Sequence, residues 1–211
     1  MTDLEAATGC TVILPPPKTR ASCDVRGNSP GSRELALLAP EKSMQEVHAV
    51  LLSGGSALGL GAAEGVVRWL REREIGYQTP WVRIPIVPAA VVFDLNVGRS
   101  DRWPDAASGY AACEAASTGP IEEGCVGAGT GATIGKWNGL ETSMKGGIGS
   151  VSVRLGKLVV GALSVVNAVG DVMAADGTVM AGARDAKGGF LARQGAVRIF
   201  ARRKVLDQAN T

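Results

Sequence analysis

At 211 residues the chain can bury one sizeable core, and an apolar content of 45% fits a globular class. Lys and Arg total 22 against 20 Asp and Glu, a net charge of +2 that gives no basis for a nucleic-acid partner. No apolar run reaches the ~18 residues of a membrane span, and no basic-then-apolar leader marks the N-terminus.

The elements follow in chain order. Aromatics are only 4% while Gly reaches 29 residues, so the core must come from Val, Leu, Ile and Ala packed around tight turns. Thr8 to Leu14 reads as a strand stopped by Pro15-Pro16-Pro17, and Ala21 to Arg26 as a second short strand. Val47 to Leu52 reads as a buried strand that meets the turn Ser53-Gly54-Gly55-Ser56. Leu58, Ala62, Val66, Trp69 and Leu70 then recur at helical spacing, which predicts a helix from about Ser56 to Arg73. An irregular edge strand and a short buried strand, Ala90 to Phe93, are expected within Val82 to Leu95. Pro104 and Asp105 stand at the entry of a second helix that runs to Ala116. Ser150 to Leu155 alternates at period two, Gly156-Lys157 turns, and Leu158 to Asn167 returns, which is a hairpin. Beyond Asp171 the pattern weakens. Asp185 to Lys204 reads as a connecting segment, its four basic residues between Arg198 and Lys204 solvated. Strands and helices interleave without regular βαβ alternation and without a second domain, so the expected class is α+β in a layered sandwich over residues 1–211.

The chemistry-bearing motifs are sparse. Gly127 to Lys136 invites a nucleotide reading, but Gly135-Lys136 is followed by Trp137 where a phosphate loop needs Ser or Thr. The Ser53-Gly54-Gly55-Ser56 turn has two readings: close backbone packing, or an oxyanion hole built from N–H groups at a helix start. The sole histidine, His48, lies in an apolar run and reads as a core residue, so a Ser-His-Asp arrangement has no support. Cys10, Cys23, Cys113 and Cys125 form no CxxC pair, and His and carboxylates do not cluster. The expectation is therefore no metal, no cofactor, and free thiols in the cytoplasm.

Seven segments, in order, carry a resemblance: Ala7 to Val12, Cys23 to Gly27, Val50 to Ser56, Val87 to Asp94, Gly127 to Lys136, Lys145 to Gly149 and Val165 to Asp171. Together they resemble the self-processing aminopeptidases and amide hydrolases that include D-aminopeptidase/L-esterase enzymes, β-peptidyl aminopeptidases and the nylon-oligomer hydrolase. The resemblance implies an αββα sandwich similar to N-terminal nucleophile hydrolases. It implies a precursor that cuts itself before Ser or Thr, here at Asn210-Thr211, making this chain the large subunit. A small subunit after Thr211 is then the expected partner, within a homo-oligomer of paired subunits acting on peptides or amides.

The same resemblance assigns roles. Thr211 becomes the nucleophile. Its freed α-amine, with an ordinary pKa of about 7.7–8.0, can take the hydroxyl proton, so no histidine is needed. Asn167 matches an active-site Asn, whereas the residue by itself also reads as a turn former. Lys136 matches a lysine beside the nucleophile, whereas by itself it also reads as a solvated surface residue. Phe93 falls where some members carry Tyr, which removes a hydroxyl and leaves a pocket-lining ring. Two rivals share features with this reading: a self-cleaving acetyltransferase that also cuts before Thr, and an inactive remnant or binding module.

Overall fold

The computed structural model describes residues 1–44 and 46–194. The elements run β1 (Thr2–Asp3), β2 (Thr8–Ile13), β3 (Ser32–Arg33), β4 (Val50–Ser53), α1 (Ala62–Glu72), β5 (Tyr77–Gln78), β6 (Arg83–Ile84), β7 (Ala89–Val91) and α2 (Ala106–Glu114). They continue with β8 (Thr133–Ile134), β9 (Met144–Lys145), β10 (Gly147–Leu155), β11 (Leu158–Val166), β12 (Val172–Met173) and β13 (Val179–Ala181). The class is α+β.

A five-stranded sheet in the order β1-β2-β4-β7-β3 forms the platform. β2 and β4 are antiparallel, with Cys10 opposite Ser53, while β4 and β7 are parallel, with Leu52 opposite Ala90. The pair α1 and α2 packs over this sheet. Cys10, Leu51, Val66, Leu70, Val87 and Cys113 share one core, and burying a side chain as large as Leu51 contributes roughly 1.5–3 kcal/mol. The helices approach closely because Gly65 faces the Ala106 carbonyl and Gly109 faces the Ala62 carbonyl; a Cβ at either would lie within 2 Å of that oxygen, at 1.8 and 1.9 Å. α2 starts with an N-cap: the Asp105 side chain accepts from Ser108 N at 2.9 Å.

The long hairpin β10–β11 pairs from Gly147 opposite Val166 to Leu155 opposite Leu158. Its far end is apolar yet exposed: Val151, Val153, Leu155, Leu158, Val159 and Val160 all face solvent. Near its base, Gly124 exchanges backbone hydrogen bonds with Ile148, tying the hairpin to the segment before Gly127.

Four sequence expectations need correction. Ala21 to Arg26 forms no strand: its side chains are mostly exposed, so nothing buries a strand face there. The first buried strand after it is shorter than expected, since His48 sits before β4 and uses Nδ1 to accept from Ile86 N at 3.0 Å. The helix expected from Ser56 begins as a 3-10 turn, Ser56–Gly61, where Gly59 presses against the Gly54 carbonyl, and becomes α-helical only at Ala62. Phe93 lies just beyond β7 rather than within it. The small hairpin β12–β13 was not legible at all.

Candidate active site

Lys136 is the most informative residue. It lies on a 3-10 turn, Lys136–Asn138, directly after β8, and is only 5% exposed. The surface-lysine alternative is thereby removed. The three N–H bonds of its Nζ are shared among four acceptors: Thr133 O at 2.9 Å, Thr133 Oγ1 at 3.2 Å, Asn167 O at 3.1 Å and Asn167 Oδ1 at 2.9 Å. All four acceptors are neutral, and no carboxylate forms an ion pair with Lys136 among the described residues. Burial without a counter-charge pushes its pKa down from 10.5 to about 8. An amine so tuned exchanges its proton near neutral pH.

Asn167 follows β11 and is half-buried. Its Oδ1 also accepts from Thr133 N at 2.9 Å, and its Nδ2 donates to Phe93 O at 3.0 Å. The structure therefore brings Lys136, Asn167 and Phe93 together. Phe93 enters through its backbone carbonyl, a contribution independent of which ring the residue carries. One amide hydrogen of Asn167 is thus committed, and a primary amide has two.

The turn Ser53-Gly54-Gly55-Ser56 does sit at a strand end, but its donors are occupied. Gly54 N donates to Gly9 O at 2.8 Å, Ser56 N to Val92 O at 3.0 Å, and Gly55 N to Asp94 Oδ1 at 2.7 Å. Ser53 Oγ turns back to Gly54 O at 3.0 Å. The oxyanion reading of these four residues is corrected accordingly: the anion at this turn is the protein's own Asp94. That carboxylate, 1% exposed, also accepts from Thr8 Oγ1 at 2.7 Å. Burial raises its pKa above 3.8, against the lowering effect of the Gly55 and Thr8 hydrogen bonds. Asp94 and Asn167 are linked through the adjacent Phe93 peptide, so this turn, Asp94, Asn167 and Lys136 form one connected polar network.

Asn210 and Thr211 lie outside the described residues. His48 is half-buried, and burial lowers its pKa against the opposing effect of Glu46, consistent with a neutral core residue. Cys10 and Cys113 are buried in the core, where burial pushes the thiols up to about 11 and about 12, so both stay protonated and unreactive. A cavity of ≈ 810 Å³ beside α1, lined by Arg68, Arg71, Trp81 and Arg83 among others, shares no residue with the Lys136 network. Among the described residues no His, Cys, Asp and Glu group could hold a metal, and no helix is long and apolar enough to cross a membrane.

The family model described as Peptidase family S58 matches residues 1–198. The chain belongs to peptidase family S58. Within the family's relatives, an uncharacterized aminopeptidase of Mycobacterium leprae is 47% identical over 175 residues, covering 79% of this chain and 46% of that protein. A 6-aminohexanoate-oligomer endohydrolase of Agromyces sp. is 36% identical over 187 residues, covering 88% of this chain and 49% of that protein. The chain thus spans about half the length of the curated relatives it matches. Among solved structures, a Burkholderia sp. beta-aminopeptidase aligns with a TM-score of 0.52 at 22% identity, over 77% of this chain and 41% of the other. An L-aminopeptidase D-Ala-esterase/amidase from Ochrobactrum anthropi, described as a new variant among the Ntn hydrolase fold, aligns at 0.50 and 22%, over 76% and 40%. These two likenesses concern the fold, and they agree with the layered α+β class.

Several S58 site neighbours escaped sequence reasoning. Thr133 and Trp137 flank Lys136, while Asp94 and Asp171 each close a segment that carried the resemblance. A carboxylate closing an apolar run was the available signal for Asp94.

Proposed function

We propose that this S58 chain is the larger, N-terminal part of a self-processing hydrolase of peptides or linear amides, with Thr211 as nucleophile. The observation that carries the reading is the buried ammonium of Lys136 held against Asn167 at 2.9 and 3.1 Å, with burial lowering its pKa to about 8. Both residues were marked by the family resemblance as neighbours of the nucleophile.

In the processing step the Thr211 Oγ attacks the carbonyl carbon of Asn210. The Asn210–Thr211 C–N bond breaks, the nitrogen takes up the hydroxyl proton, and the acyl group moves to oxygen as an ester. Water then hydrolyses the ester, leaving the Asn210 carboxylate, the free hydroxyl and a new α-amine. With an external amide, the same hydroxyl attacks the substrate carbonyl while an amine near its pKa accepts the proton. Lys136, cationic or neutral with nearly equal cost near pH 8, stabilises charge on the developing oxyanion or relays the proton. The second hydrogen of Asn167 Nδ2 is suited to the same oxyanion.

A second segment, corresponding to the part of the relatives that this chain does not span, is proposed to follow Thr211 and to complete the enzyme. Homo-oligomer formation belongs to the same proposal. The exposed free thiols Cys23 and Cys125 suit a reducing cytoplasm. The relatives' names favour hydrolysis over acetyl transfer. The test is hydrolysis of an aminoacyl amide and of a 6-aminohexanoate oligomer by the full-length protein, with Lys136→Met and Asn167→Ala beside it. The proposal requires loss of hydrolysis in both variants. Full activity of either would remove that residue from the chemistry.

A further inference from the structure

The turn that carries Lys136 is clamped by two side chains to which no role has been assigned. Trp137 Nε1 donates to Asp171 Oδ1 at 2.8 Å, and the same oxygen accepts from Ala183 N at 2.9 Å. Asp171 is half-buried and lies four residues after Asn167. Backbone bonds run in parallel: Gly135 N donates to Gly170 O at 2.9 Å and Trp137 N to Val169 O at 3.1 Å. Both residues flanking Lys136 are therefore fastened to the segment that leaves Asn167.

The third body in the clamp is the stretch Gly182-Ala183. A Cβ on Gly182 would lie 2.2 Å from Asp171 Cγ, so this stretch presses directly on the carboxylate. Gly182 N is held from behind by Met144 Sδ at 3.2 Å. One carboxylate oxygen thus joins three chain segments: the Lys136 turn, the exit of β11 and the end of β13.

We propose that Trp137 and Asp171 are positioning residues that set the Lys136–Asn167 separation for catalysis. The inference rests on the reading of Lys136 and Asn167 given above. The Lys136 Nζ meets Asn167 through a long side chain, and its acceptors are neutral oxygens with no ion pair to fix the geometry. A shift of the turn would therefore redirect Nζ relative to Asn167. The backbone bonds hold the turn along the chain, and the indole–carboxylate bond holds it across the chain. The role needs an acceptor oxygen at Asp171, not its charge, because burial alone accounts for the depressed Lys136 pKa.

The test uses the full-length protein with Trp137→Phe, Asp171→Ala, Asp171→Asn and Lys136→Met, each checked for thermal midpoint and normalised by active-site titration. Misplacing a reacting group by about 1 Å costs up to about 100-fold in rate. Trp137→Phe and Asp171→Ala are expected to lower kcat by roughly 10–100-fold with KM held within about 3-fold. Asp171→Asn keeps one acceptor oxygen at that position and is expected to recover most of kcat. The inference is overturned if Lys136→Met is inactive while both clamp variants keep wild-type kcat. It is also overturned if Asp171→Asn falls as far as Asp171→Ala and both losses track the folded fraction. If Lys136→Met retains full activity, the underlying reading of Lys136 fails first, and the clamp has nothing to position.

Discussion

Lys136→Met separates a lysine held under electrostatic tension from an ordinary buried stem. The drop from 10.5 to about 8 in the folded state corresponds to roughly 3 kcal/mol, at about 1.4 kcal/mol per tenfold change in proton affinity. Between those two values the unfolded chain binds more protons than the folded one, so wild-type stability rises with pH across that window. The contribution is complete above the unfolded value of 10.5 and is lost as pH falls through about 8. At neutral pH the Met variant sheds the cost of burying a cation but takes the ammonium donor from the Thr133 and Asn167 backbone carbonyls, at about 1–3 kcal/mol for each group left unsatisfied, while Asn167 Oδ1 keeps its bond from Thr133 N. These effects oppose one another, so the net loss of stability near pH 7 should be smaller than the stranded acceptors alone would cause. Urea unfolding of both proteins at about pH 7 and about pH 10 should show wild type gaining up to roughly 3 kcal/mol relative to the variant, because other titrating groups cancel in the difference. Parallel pH profiles would refute the depressed pKa and the proton-exchange role built on it.

Asp94→Asn should keep the acceptor for Gly55 N while removing a buried charge. Because burial raises the Asp94 pKa, the wild-type group stabilises the fold most below 3.8 and loses that contribution as pH rises through the raised value. Melting curves across the acid range should therefore be flatter for Asp94→Asn, whereas Asp94→Ala, which also strands Gly55 N and Thr8 Oγ1, should cost about 2–5 kcal/mol, most at acid pH where wild type keeps its full Asp94 contribution. On the β10–β11 hairpin, Val153 and Leu158 are 66% and 60% exposed. Replacing both with Lys should improve the solubility of this chain by itself and weaken its co-purification with the proposed second segment. Unchanged co-purification would show that the hairpin tip is not covered there.

The elements legible in the sequence are those set by local pattern. The β10–β11 hairpin declared itself because period-two alternation met Gly156-Lys157, and α2 because Pro104 and Asp105 mark its start. Errors arose where distant packing decides. Helical spacing continues through Ser56–Gly61, yet pressure of Gly59 on Gly54 keeps that stretch a 3-10 turn. Ala21 to Arg26 had strand-like residues, yet they stay mostly exposed and form no strand. At the site, family motifs marked Lys136 and Asn167, but only the fold reveals that their side chains meet. The Ser53–Ser56 turn had two readings, close backbone packing or an oxyanion hole for a substrate. Its anion arrives instead as Asp94, 39 residues away from Gly55 in sequence, which no local pattern encodes.

The most direct test of the account is the intact mass of the full-length protein and of its Thr211→Ala variant after purification. The account predicts that the wild type separates into two polypeptides, the second beginning at Thr211, while the variant stays as one chain without hydrolytic activity. An uncut wild type that hydrolyses amides at full rate would contradict it.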